Sequence, residues 1–342
     1  MSSDYHEFEK RKQDHIDLAL MSSNQAYELN GLDAMTLLHE ALPDVNFDEL
    51  TLAGQRFGQS VEPSLMVSSM TAGHQHAAQV NRHLMEAAQE KKWAMGVGSQ
   101  RRELTDDHAA FEWLDLRRDC AFVSLFSNLG IAQVITTPVD TIRRLTETLN
   151  AQALIVHCNP LQECIQPEGT PLFKGCWTAL ETLVNTMQLP IIVKETGCGF
   201  SLNTLKRLDD MGVSAVDVSG LGGTHWGRIE GHRAEALSVR KAAAHTFRNW
   251  GINTVDSVKE AMTLHPSFEV WGSGGVRNGL DAAKLFALGA TTVGFAKPLL
   301  AAALESTDAV MKAMDTIEYE LKVAMFCTGS HTLDALKEKI RC

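Results

Sequence analysis

Several stretches of this chain place groups able to do chemistry directly after short apolar runs. HCNPLQE (157–163) follows ALIV and delivers His157, Asn159, Gln162 and Glu163 within one turn of chain. An imidazole can carry a proton near neutral pH. A lone carboxylate such as Glu163, beside a phosphate-rich ligand, suits Mg²⁺, which keeps several waters and takes phosphate oxygens as its other ligands. VKETGCG (193–199) sets Lys194 at the end of another apolar run, and a buried ammonium requires an anionic partner. DVSGLGGTHWGRIEGHR (217–233) supplies Ser219, Thr224, Trp226 and Glu230 among glycines that let backbone lie against a ligand. The Trp226 face could stabilise a cation by ~2 kcal/mol where water is excluded. Taken singly, each of these residues has a plain reading as a satisfied core group or a loop cover. Their joint occurrence at run ends is what points to a site.

Five further run ends share this character. SMTAGH (69–74) carries Ser69, Met70 and Thr71; GSQRR (98–102) carries Ser99 and Arg101; SNLG (127–130) carries Asn128. GSGGVR (272–277), with Gly274, Gly275, Val276 and Arg277, and VGFAKP (293–298), with Phe295 and Ala296, are glycine-containing turns after the last two runs. In parallel barrels that is where phosphate binds, on backbone N–H groups. Arg11 and Lys12 lie in a basic triplet at 10–12 that would otherwise be a solvated turn.

The elements that must position these groups are eight β-rich runs: 64–69, 93–99, 120–128, 153–159, 190–196, 214–220, 268–275 and 291–296. They are continuously apolar, as strands buried on both faces are. Helical spacing lies between several of them, as in Ala77, Val80, Leu84 and Ala88, or Leu202, Leu205, Leu208 and Met211 before Gly212. Strand and helix in alternation predict an α/β fold, a (β/α)8 TIM barrel, with a doubly wound sheet as the alternative. Residues 1–60 read as an N-terminal extension with a helix around Thr36 to Ala41. Residues 230–262 read as a long excursion, and Val310 to Met325 as one helical face. No Pro/Gly/Ser-rich linker divides the chain, so 1–342 is expected to be a single domain.

A formal net charge of −11 argues against non-specific nucleic-acid binding and against a basic membrane-surface protein. The charged N-terminus lacks a signal-peptide core, and no run approaches the length of a membrane span, so a cytoplasmic location is expected. Seven scattered cysteines form no Cys-x-x-Cys pair and are read as reduced thiols.

RKQDHI (11–16), MTAG (70–73), GSQR (98–101), HCNPLQE, VKETGCG, DVSGLGGTHWGRIEGHR and GSGGVRNG (272–279), in this order, resemble the type 2 isopentenyl-diphosphate isomerases. The resemblance implies an FMN-dependent barrel that interconverts isopentenyl and dimethylallyl diphosphate by protonation and deprotonation, with Mg²⁺ and with flavin reduced by NADPH. It implies substrate contacts at Arg11, Lys12, Ser99, Arg101, Asn159 and Gln162, and Mg²⁺ on Glu163. Catalytic roles are expected for Gln162, Lys194, Trp226, Glu230 and His157. FMN is expected against Ser69, Met70, Thr71, Ser99, Asn128, Lys194, Ser219, Thr224, Gly274 to Arg277, Phe295 and Ala296. Ala72 departs from the glycine usual in the family. A homo-oligomer, tetramer or octamer, is expected, with neither nucleic acid nor membrane as partner. The rival readings are an FMN-dependent 2-hydroxy-acid oxidase and a non-catalytic flavin-binding barrel.

Overall fold

The computed structural model describes residues 3–70, 77–106 and 109–341, apart from the side chains of 3–10, 12 and 338. Thr71, Ala72 and the Lys12 side chain, all expected at or near the site, lie outside the described residues. Eight parallel strands close into a barrel: β1 (Leu65–Val67), β2 (Ala94–Gly96), β3 (Leu125–Gly130), β4 (Ala153–Cys158), β5 (Ile191–Glu195), β6 (Ala215–Asp217), β7 (Glu269–Gly272) and β8 (Thr292–Phe295). They neighbour one another in chain order, and closure is made by Val293, Gly294 and Phe295 of β8 pairing with Leu65, Met66 and Val67 of β1. Each strand lies inside one of the eight apolar runs or extends it by two residues at most.

Successive side chains on these strands point to opposite faces, and both faces are packed. Met66, Ala94, Phe126, Ala153, Ile155, Ile192, Ala215 and Trp271 fill the barrel interior. Leu65, Val67, Leu125, Leu154, Val156, Val193 and Val216 belong to the larger cluster formed with the surrounding helices. That is the physical reason for the uninterrupted apolar runs. Helices Ala77–Lys91, Leu202–Met211 and Thr307–Cys327 fall where the spacing places them, and Gly212 closes the second in the left-handed conformation.

The N-terminal extension departs from expectation. No helix forms over Thr36 to Ala41; Thr36–Leu37 is a short strand pairing antiparallel with Ile340–Arg341. The helix of this region is Ser3–Leu20, upstream of the stretch that suggested one. A hairpin, Gly54–Arg56 with Gln59–Val61, covers the N-terminal end of the barrel. Its Phe57 ring reaches Trp271 at 5.6 Å and Phe126 at 6.3 Å. The excursion after β6 is helical, as Trp226–Arg233, Val239–Thr246 and Thr254–Thr263. The six described cysteines are free, and among the described residues no helix is long and apolar enough to cross a membrane.

Candidate active site

The C-terminal ends of the strands surround one cavity, roofed on one side by helix Ser3–Leu20, which contributes Arg11, His15, Ile16 and Ala19 to its wall. On β5, Lys194 points to the barrel axis. Its Nζ donates to Asp217 Oδ2 at 2.7 Å and to Ser273 Oγ at 3.0 Å, while Ser273 Oγ donates to Asp217 Oδ1 at 2.6 Å. All three residues are buried. An ammonium has three donors, so this triangle leaves one for a ligand. The anionic partner required of Lys194 is thus Asp217, one strand away.

Asn128 on β3 donates from Nδ2 to the Val97 carbonyl at 2.9 Å, which fixes its Oδ1 as an acceptor. His157 Nδ1, 2.8 Å from that oxygen, therefore carries the proton. The Pro160–Ile165 helix follows β4 and orders the remaining polar groups. Asn159 Nδ2 donates to Gln162 Oε1 at 3.1 Å and to Glu163 Oε1 at 3.0 Å, and Glu163 Oε2 accepts from the Thr170 backbone. Gln162 Nε2 donates to Glu230 Oε1 at 2.9 Å.

Glu230 is fully buried and stands behind Gln162, off the cavity wall. His15 Nε2 lies 2.9 Å from its Oε1, and Arg233 donates to its Oε2 at 2.6 Å. Burial opposes its ionisation, yet the bonds from His15 and Gln162 and the Arg233 charge hold the carboxyl below the usual range. Trp226 lines the cavity, its ring 5.2 Å from His15 in an edge-to-face arrangement. Arg11, on the cavity wall, stands close enough to Arg101 and Arg233 to feel both charges. Burial, partly offset by Glu168, and the neighbouring guanidiniums pull Arg11 below its ordinary value. Like charges gathered this way favour an incoming anion.

The cavity is also lined by Ser68, Ser69, Met70, Ser99, Ser219, Thr224, Gly274, Gly275, Val276 and Ala296. The hydroxyls of Ser68 and Ser69 are buried with no hydrogen-bond partner among the described residues, a costly state unless a ligand supplies one. Gly274 and Gly275 have φ of 95° and 77°, and a Cβ on either would fall 2.4 and 2.2 Å from carbonyls of Gly220 and Gly222. The N–H groups of Gly274, Gly275 and Val276 meet no acceptor among the described residues. Hydroxyls and backbone N–H groups left without partners among the described residues fit a polar ring system carrying a phosphate. The side chains of two residues expected to touch FMN lie off the cavity lining: Phe295 packs on Trp93, and Arg277 pairs with Asp33 and Asp281. Ser68, His15, Tyr27 and Gln25 line the cavity but were not singled out in the sequence as site residues. Only Ser68 and His15 carried a signal, through their places in SLMVSS and RKQDHI.

The FMN-dependent dehydrogenase family pattern matches residues 133–341, which places the protein among the flavin-dependent barrels. Solved structures agree at the level of fold. A mandelate oxidase variant with an FMN adduct superposes with a TM-score of 0.67 at 16% identity over 99% of each chain. A flavocytochrome b2 variant with pyruvate bound gives 0.70 at 17%, covering 99% of this chain and 85% of the other. Closer in sequence, the isopentenyl-diphosphate delta-isomerase of Legionella pneumophila (strain Corby) is 66% identical over 339 residues, 99% of each chain. The enzyme of that name from Bdellovibrio bacteriovorus is 51% identical over 337 residues, 97% of each. The chain belongs to the FMN-dependent, type 2 isopentenyl-diphosphate delta-isomerase family.

Proposed function

We propose that this protein interconverts isopentenyl and dimethylallyl diphosphate with reduced FMN and Mg²⁺, the flavin being reduced by NADPH, and that it works as a homo-oligomer. The observation that carries the reading is one cavity with two chemistries. Arg11, Arg101 and Glu163 line it together with Ser68 and Ser69, whose hydroxyls have no partner among the described residues, and with the Gly274–Val276 nest.

Shifting a double bond requires a proton added at one carbon and another removed elsewhere, through a state resembling a tertiary cation. Reduced FMN, when bound, supplies a nitrogen that can donate and accept that proton. The residues of the chain do the rest. Ser68, Ser69, Thr224 and the third Lys194 donor would hold the ring, and the nest would bind its phosphate. Arg11, Arg101 and Ser99 would bind the diphosphate, and Glu163 would hold Mg²⁺, whose charge would help neutralise it. Gln162, pinned at both ends by Glu230 and Asn159, orients the alkene. Trp226, Ile16 and Ala19 exclude water from the prenyl group, and the Trp226 face favours cationic charge. His157, its Nδ1 proton held by Asn128, also stands on the cavity wall.

An anaerobic assay of isopentenyl diphosphate with FMN absent, oxidised or dithionite-reduced, each with Mg²⁺ or EDTA, tests this. Dimethylallyl diphosphate is expected only with reduced FMN and Mg²⁺. Yellow protein inert under that condition would leave a non-catalytic flavin barrel.

A further inference from the structure

His225 opens helix Trp226–Arg233 at a position where Ser, Thr, Asp and Asn prevail, because a side-chain oxygen there accepts from the first helical turn. In this chain a ring nitrogen does so: His225 Nδ1 accepts from Arg228 N at 3.2 Å. The other nitrogen, Nε2, lies 3.2 Å from the Trp250 carbonyl, which can only accept. Both contacts are satisfied by a single state of the ring, neutral with the proton on Nε2. The ring is 1% exposed, so water cannot replace either contact.

The surroundings show what the ring holds. A Cβ on Gly227 would lie 3.0 Å from His225 Cε1 and 3.0 Å from Leu161 Cδ2, so a glycine there lets the imidazole and Leu161 close over the first turn together. Leu161 precedes Gln162. His225 N donates to Asn24 O at 2.9 Å, and Thr224 bridges to Gln25, tying the same point to the N-terminal segment. One ring thereby ties the helix bearing Trp226, Glu230 and Arg233 to the loop at Trp250, and that helix in turn meets the one bearing Gln162 through the Gln162–Glu230 hydrogen bond.

We infer that His225 is the positioning residue that sets Trp226 and Glu230 against Gln162, acting as a neutral helix cap in its Nε2–H form. The effect on turnover rests on the reaction proposed above; the capping role does not. A second proton would place a donor on Nδ1 facing the Arg228 N–H and would break the cap. Burial and the Arg228 charge lower the affinity of the ring for that proton. Among the described residues Arg228 is the charged group acting on the ring. Its guanidinium is engaged by Arg248 O at 2.8 Å, Asn249 Oδ1 at 2.7 Å and Glu28 at 3.8 Å. The native pKa lies below the ordinary 6.5, so the native state binds fewer protons than the unfolded one. The cap is intact at neutral pH, and its contribution is lost as pH falls below that value.

Amide hydrogen exchange over 226–233 in the full-length protein, corrected for intrinsic rates, tests the role without substrate. His225→Ala should speed exchange about tenfold at pH 7.5, the scale of a lost cap, and His225→Asn, which restores a capping oxygen, should stay near wild type. On acidification the segment should loosen in wild type and not in His225→Asn. In turnover, His225→Ala should lower kcat about tenfold with FMN affinity unchanged, and His225→Asn should recover most of it. Equal protection in His225→Ala, or acid loosening that persists in His225→Asn, overturns the capping role. If the exchange pattern holds while wild type fails to convert isopentenyl diphosphate, the proposed reaction is what fails.

Discussion

Lys194 and Glu195 are neighbours on β5, and the pleat sends them into opposite environments. Lys194 faces the axis and meets Asp217; Glu195 faces outward, beside an apolar cleft lined by Trp177, Phe200 and Trp250. Burial pushes the Glu195 carboxyl up to about 7, even though its Oε2 accepts from the backbone N–H groups of Thr196, Gly197 and Cys198. A native pKa of about 7 against an ordinary 4.5 means the native state holds the proton more tightly than the unfolded chain. Stability must then fall as pH rises through that interval. Glu195→Gln keeps an acceptor for the three N–H groups and removes the titration. It should stabilise the protein at pH 8 by about 3 kcal/mol in urea unfolding and by almost nothing at pH 4.5. A difference independent of pH would show that Glu195 ionises freely in the native state. The reading of Lys194 as a residue needing an anion was available from the sequence, because a cation ending an apolar strand admits few solutions. The identity of that anion was not, since Asp217 becomes its neighbour only through the pairing of β5 with β6.

At the scale of elements, the strands were legible and the coverings were not. Eight apolar runs gave eight strands because burial on both faces leaves a local mark. Thr36 to Ala41 failed as a helix because its partner, Ile340–Arg341, is some three hundred residues away and leaves no mark in the segment itself. The cavity lining divides in the same way: Gln162, Glu163 and Trp226 reach it from strand-end motifs, whereas Ser68 and Tyr27 acquire their place only when elements meet at the cavity. The hairpin over the barrel's N-terminal end is another such covering. Its Phe57 closes on Phe126 and Trp271, and Arg56 lies 5.7 and 5.9 Å above the same two rings. In this fold chemistry sits at the opposite end, and the N-terminal face serves stability. Phe57→Ala should therefore cost about 3 kcal/mol in chemical denaturation and leave the FMN dissociation constant within twofold. A large loss of FMN affinity at unchanged stability would reverse this division of labour.

Across the whole molecule, the N-terminal extension is part of the barrel's core. Ala19, Leu32, Met35, Leu50 and Leu52 belong to the same buried cluster as the strands and outer helices. Lys284 Nζ donates to the Leu32 carbonyl at 2.8 Å, and the first and last segments of the chain pair with each other. Helix Ser3–Leu20 also supplies Arg11 to the cavity wall. It does so in a protein whose net charge of −11 repels phosphate at long range, a repulsion screened beyond ~8 Å at physiological salt. Short-range guanidinium contacts can then prevail. With core and site both spanning the chain, unfolding should be a single cooperative event. Far-UV ellipticity, tryptophan emission and flavin release should share one urea midpoint, and FMN at a hundredfold excess over its dissociation constant should stabilise that transition by about 2.7 kcal/mol. An earlier, separate transition that frees the N-terminal segment while flavin stays bound would show that residues 1–60 form an independent unit, and that Arg11 is an accessory to the site and no part of its wall.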